Sequence, residues 1–134
     1  YGAVAFPFGV LAIYGLGLIL AGFGLVFARH SVNLNEGAAA LLYLLCGAIF
    51  PLDLLPLVIR AVGLALPITW WLEAMRRSLG VVGDPGVLTG FGAGGVLAIL
   101  VLSSMLWYGI GVMVYGLLER RAKQLGLIDQ TTNF

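Results

Sequence analysis

Twenty-five consecutive residues without a charge, "VAFPFGVLAIYGLGLILAGFGLVFA" over 4–28, set the first limit on what this chain can become. Coiled as a helix at about 1.5 Å per residue, they reach about 37 Å, enough to cross a hydrocarbon core of about 30 Å with some tilt. A soluble fold of 134 residues needs more polar surface than this chain has. It is 61% hydrophobic and 10% charged, with a mean hydropathy of +1.08. An integral membrane protein is expected. Pro7 is expected in the first turn of this helix, where its missing N–H does little harm. Gly17, Ala21, Gly24 and Ala28 share one helical face, a spacing that lets a second helix approach closely in lipid.

The remainder divides at its polar breaks. After "RHSVNLNEG" (29–37) comes an apolar run from Ala38 to Phe50. About 20 Å of helix is short for a crossing. A full span requires a start near Val32 or continuation to about Leu52, and the second span is placed at about 36–52. Then "FPLDLLPLVIRAVGLALPITWWLEAMRRSLG" combines apolar character with Pro51, Pro56, Pro67 and five charged side chains. Asp53 is expected to cap a helix over about 54–66 with Pro56 in its first turn. Pro67 ends that helix, Thr69 caps another over about 70–79, and Gly80 closes it. Each piece, at about 15–20 Å, is too short to cross. The segment 53–80 therefore predicts a re-entrant helical hairpin, which needs surrounding protein or a water-filled cavity to satisfy its broken backbone.

Residues 80–95 are a glycine-rich connector with a turn expected at Asp84-Pro85-Gly86. They lack the Gly-Lys-Ser/Thr ending and preceding strand of a phosphate loop. A third span is placed at 96–118, followed by a polar tail over 119–134. The expected architecture is one all-α transmembrane domain over 1–134, a polytopic helix bundle of three spans plus the hairpin. Arg29 and His30 follow the first span; Arg120, Arg121 and Lys123 follow the last. Three crossings put both clusters on one side, assigned to the cytoplasm, with the hairpin and its Arg60, Arg76 and Arg77 facing outward. The expected location is the cell (inner) membrane, multi-pass. The chain begins with Tyr1 rather than Met and reads as the later part of a longer protein.

Several side chains have two readings each. Glu73 stands three and four residues before Arg76 and Arg77, a helical spacing that favours an ion pair. The pair either fixes the hairpin or forms an outer gate. Arg60 either snorkels to the interface or lines an exit. Trp70 and Trp71 mark the outer interface, where indoles prefer to sit. Ser104, Tyr108, Gly111 and Tyr115 share a face of the last span and either line a pathway or bond between helices. His30 reads as a solvated flank. Cys46, the only cysteine, reads as a small core residue. No paired carboxylates, metal-ligand spacing or nucleophile–base set is present, so no catalytic or metal site is expected in this chain. No basic cluster with interleaved aromatics points to nucleic acid.

"GAIFPLDLLP" followed by "LPITWWLEAMRRSLG" resembles the signature of permease subunits of type 2 ABC transporters, mostly bacterial and archaeal exporters. Gly47, Phe50, Pro51, Leu55, Pro56, Pro67, Thr69, Trp70, Glu73, Ala74 and Arg76 fill that pattern in order, and "GFGLVFARH" is similar to the family's fourth helix leaving the membrane. The resemblance covers about 17–123. It implies the C-terminal half of a six-helix permease, with the re-entrant hairpin between helices five and six. Helices one to three and the main cytoplasmic coupling helix have no counterpart in this sequence. It also implies a second permease copy or homologue and two ABC ATPase subunits, which would hold ATP and Mg²⁺. The expected function is export along a pathway shared by two permeases. Two rivals stand beside it. One is a non-transporting membrane scaffold or assembly subunit; the other is an ion-coupled transporter, for which the long apolar runs lack a carboxylate.

Overall fold

The computed structural model describes residues 1–50, 52–81 and 87–126, and among these every regular element is helical. Five α-helices follow in order: α1 (Gly2–Val26), α2 (Ser31–Leu45), α3 (Leu57–Ala65), α4 (Pro67–Ser78) and α5 (Ala93–Gln124). Short 3-10 turns lie at Ala28–His30, Leu52–Leu54 and Val87–Gly90. Two helices, α1 and α5, are long and apolar enough to cross a membrane. The chain is thus a helical protein with membrane-spanning character. The turn expected at Asp84-Pro85-Gly86, Pro51, and residues 127–134 of the tail lie outside the described residues.

α1 and α5 form the main packing unit, and they run parallel. The Tyr1 hydroxyl donates to the Ala93 carbonyl at 2.9 Å. Midway along, Gly15 faces the backbone of Trp107 and Tyr108, and near the far end Gly22 faces Tyr115 and Leu118. The contact face of α1 is Ala5, Gly9, Ala12, Gly15 and Gly22, not the expected Gly17–Ala21–Gly24 face. Gly17 looks into open space and Ala21 is exposed. Both faces have small residues three to four apart. The partner decides between them: Gly111 is buried against the Gly15 carbonyl, so two glycines meet where the helices cross. In lipid, such close approach supplies van der Waals contact that the hydrophobic effect does not.

Several boundaries move from their sequence positions. α1 begins at Gly2, so Pro7 lies in its second turn rather than its first. α2 takes the early start near Val32 rather than the continuation to about Leu52; it ends at Leu45 with Cys46 as its C-cap, followed by Gly47 at a positive φ of 69°. Residues up to 52 therefore do not extend it. α3 begins after Pro56 with no side-chain cap; Asp53 sits in the preceding 3-10 turn. α4 begins at Pro67 itself, with Thr69 inside its first turn rather than at its cap. Its end matches expectation. Gly80 (φ 71°) donates to Arg77 O and Val81 N–H donates to Arg76 O, the two reverse bonds of a Schellman ending. α5 starts before 96 and runs past 118, so the first part of the expected tail is helix and its basic residues ride on the last turns. At about 48 Å, α5 overshoots a bilayer core of about 30 Å.

The Gly15–Gly111 crossing yields a test. Gly111→Ala should lower stability in detergent by about 1–3 kcal/mol, as expected of overpacking. Gly17→Ala, in open space on the same bundle, should be neutral or stabilising by up to about 1 kcal/mol. Thermal unfolding of both variants in one detergent measures the contrast.

Candidate functional site

The α3–α4 junction is a break of 79° at Pro67. Ending α3 leaves its last carbonyls without intrahelical donors, and proline cannot supply one. Three side chains do so. Thr69 Oγ1 donates to Gly63 O at 2.6 Å, Trp70 Nε1 to Leu64 O at 2.8 Å, and Trp107 Nε1 of α5 to Ala65 O at 2.9 Å. The last bond fixes the depth of the bend. Trp107 packs by its backbone on Gly15, near the middle of α1. At its other end α4 returns to the start of α1, where Ser78 lies against Gly2. Gly63 is buried against Leu45 O and Leu52, a place with no room for a side chain.

The charged cluster lies on the C-terminal half of α4. Glu73 is 4% exposed and accepts from Arg77 Nε at 2.8 Å. The same guanidinium donates through Nη1 to Phe91 O and through Nη2 to Leu88 O, both at 2.7 Å. Arg77 thus ties α4 to the segment that leads into α5, using the fixed fork that lysine lacks. Arg76 does not pair with Glu73; its Nη2 donates to Gly47 O at 2.8 Å, binding the end of α2. Around the cluster Ala5, Trp70, Ala74, Val96 and Leu100 form the core, with Phe91 edge-on to Trp70 at 5.4 Å.

The remaining candidates do not gather here. Trp70 is 5% exposed and spent on the core and on Leu64, not on the lipid boundary. Trp71 is half-buried with its indole edge against Gly9. Arg60 lies on α3 with Nη1 4.0 Å from Asp53. Ser104 is fully buried in the α1 interface, and its hydroxyl bonds within its own helix to Leu100 O at 2.6 Å. Tyr108 leans on Tyr14 with ring centroids 6.1 Å apart, while Tyr115 is half-buried beside Gly22. The hydroxyl stripe of α5 is therefore divided between packing and surface. Among the described residues no group of three His, Cys, Asp or Glu side chains comes together.

Sequence reasoning missed the backbone acceptors at Gly47, Leu88 and Phe91 and the donor Trp107. Pro67 signalled the need for a donor such as Trp107, by implying carbonyls left open before it; no local pattern marked the three acceptors. Comparison of the chain with protein-family models, curated proteins and solved structures gives no match.

The cluster separates the two arginines. Arg77→Ala removes three bonds and leaves Glu73 buried and unpaired; the expected loss is about 3–5 kcal/mol. Arg76→Ala removes one charged bond to a carbonyl, about 1.5–3 kcal/mol. A double-mutant cycle on thermal stability should show coupling of Glu73 with Arg77 and near-additivity with Arg76. Arg77→Lys should fail to restore stability.

Proposed function

We propose that this chain is a permease segment of an ATP-driven exporter of the type 2 ABC kind. In this reading α1, α2 and α5 cross the cell membrane and α3–α4 re-enters it from the outside. The observation that carries the reading is the depth of the Pro67 bend. Ala65 O meets Trp107 at the level of mid-α1, while Ser78, at the end of α4, lies against Gly2 at α1's start. α4 thus runs from the level of mid-α1 back to the end where α1 begins, the course that a re-entrant pair would take on leaving. Parallel α1 and α5 support the same topology. Chain leaving the far end of α1 must return before α5 begins beside Tyr1, and α2 is the helix that can carry it. α2 is short, about 22 Å, and its last carbonyl packs on Gly63 beside the bend.

On this reading the Glu73–Arg77 cluster holds the outer end of a substrate pathway shared with a second permease. ATP and Mg²⁺ act in two partner ATPase subunits, and the surrounding partner is membrane lipid. The charges fit the orientation: Arg29 and His30 follow α1, and Arg120, Arg121 and Lys123 ride the same end of α5.

Two measurements test it. In a Cys46→Ser background, cysteines at Asn35 and Gln124 should resist an impermeant thiol reagent in intact cells, while one at Val81 should react. Reaction at Gln124 from outside removes the topology. The full chain, affinity-purified from its native membrane, should bring an ABC ATPase whose vanadate-sensitive hydrolysis is lost with Arg77→Ala but kept with Gly17→Ala. Absence of any such ATPase favours the scaffold reading.

A further inference from the structure

Outside the hairpin, α1 and α2 diverge as they leave their shared turn and enclose an apolar groove of about 510 Å³. That lies within the roughly 300–1,000 Å³ of sites that hold small molecules. Leu20, Phe23 and Phe27 form one wall, and Leu34, Ala38 and Leu41 the other. From Leu20 to Phe27 the groove runs about 10 Å along the helix axis, most of one leaflet's depth in a core of about 30 Å. Only one end is polar. Asn33 and Asn35 line it beside Phe27, and the connecting turn carries Arg29 and His30, both exposed. Arg120, Arg121 and Lys123 stand at the same end of the parallel α5; of the acids nearby, Glu119 is already paired with Lys123 at 2.9 Å and Glu36 lies exposed on α2.

We propose that this groove is a binding site for an anionic phospholipid, one acyl chain lying between α1 and α2 and the phosphate at Arg29 and the Asn33 and Asn35 amides. The arrangement matches the ligand's own polarity: an apolar slot of leaflet length with cations and amide donors at the membrane-surface end. A helix of another chain would match the apolar walls but would leave the amides and the arginine at the mouth without an anionic partner. The site requires only that Phe27–Asn35 lie at a membrane surface, not that the protein be a permease.

Gly37 provides the clean variant. It lines the groove, and a Cβ added there meets nothing within 4 Å, so Gly37→Leu is expected to reach into the slot from a backbone position that is not packed. The full chain would be reconstituted into phosphatidylcholine vesicles containing a trace of phosphatidylglycerol or phosphatidylcholine with a diazirine in the acyl chain. After illumination, labelled peptides are mapped. Phosphatidylglycerol should label 20–41 about fivefold more than phosphatidylcholine, the preference expected for one arginine at an anionic headgroup. Gly37→Leu should abolish that excess while labelling of exposed α5 residues such as Leu102 and Met113 stays unchanged. Arg29→Gln should leave acyl-chain labelling but equalise the two lipids. Even labelling along every lipid-facing helix, or an excess that survives Gly37→Leu, overturns the site. So does a groove that takes no lipid and crosslinks instead to a second copy. Loss of ATPase association with the lipid pattern intact would remove the permease reading and leave this site standing.

Discussion

A helix broken at a proline leaves carbonyls without intrahelical donors, and the fold depends on how they are satisfied. Each unmet group in hydrocarbon costs several kcal/mol. Here the carbonyls of Gly63, Leu64 and Ala65 are met by Thr69, Trp70 and Trp107, with the Leu66 N–H also donating to Gly63 O. Two of the donors come from the first turn of α4 itself, so the bend is largely self-contained. The third comes from α5 and sets the depth at which the bend sits. The indoles serve twice, since each offers one N–H and a large apolar body. Trp70 gives its N–H to Leu64 and its ring to the core against Phe91.

The arginine cluster applies the same rule at the other end of α4. Arg77 reaches one carboxylate and two carbonyls, and Arg76 reaches Gly47. α4 is thereby joined to the chain before the hairpin and to the chain after it. α3 is held differently. Leu57 and Val58 are 75% exposed, and among the described residues α3 is tied to α5 by the Trp107 bond. The two arms of the bent pair are therefore unequal: one belongs to the bundle core, and the other lies largely against what surrounds the protein.

Helical class, the two long apolar helices and the break at Pro67 were legible from the sequence because each follows from local chemistry: uncharged length, proline's missing donor, glycine's access to positive φ. The Glu73–Arg77 pair was legible as one of two options at helical spacing. What was hidden depended on partners distant in sequence. Gly17–Ala21–Gly24 and Ala5–Gly9–Ala12–Gly15 are equivalent stripes until Gly111 selects the second. Asp53 and Thr69 looked like caps because their types favour helix starts. Thr69 finds a better use on Gly63, and Pro67, with its φ already helical, opens α4 in its place. Trp70 looked like a boundary anchor because no local pattern reveals a buried acceptor.

The charge count, four cations at one end against three in the hairpin, gives a weak orientation when every residue has equal weight. The structure makes the weights unequal. Arg76 and Arg77 are engaged with carbonyls and Glu73, and Arg60 stands near Asp53. These three arginines have work within the fold that would retain them on either side of a membrane. Arg29, Arg120 and Arg121 are exposed at the shared end of α1 and α5, and no internal contact accounts for them among the described residues. Cations without a structural task are the ones whose position reports the membrane's own asymmetry, and they all lie at one end. That same end carries the amides of the α1–α2 groove. The end where α4 finishes is thus organised by the needs of the backbone, while the cations at the other end are left facing outward from the protein.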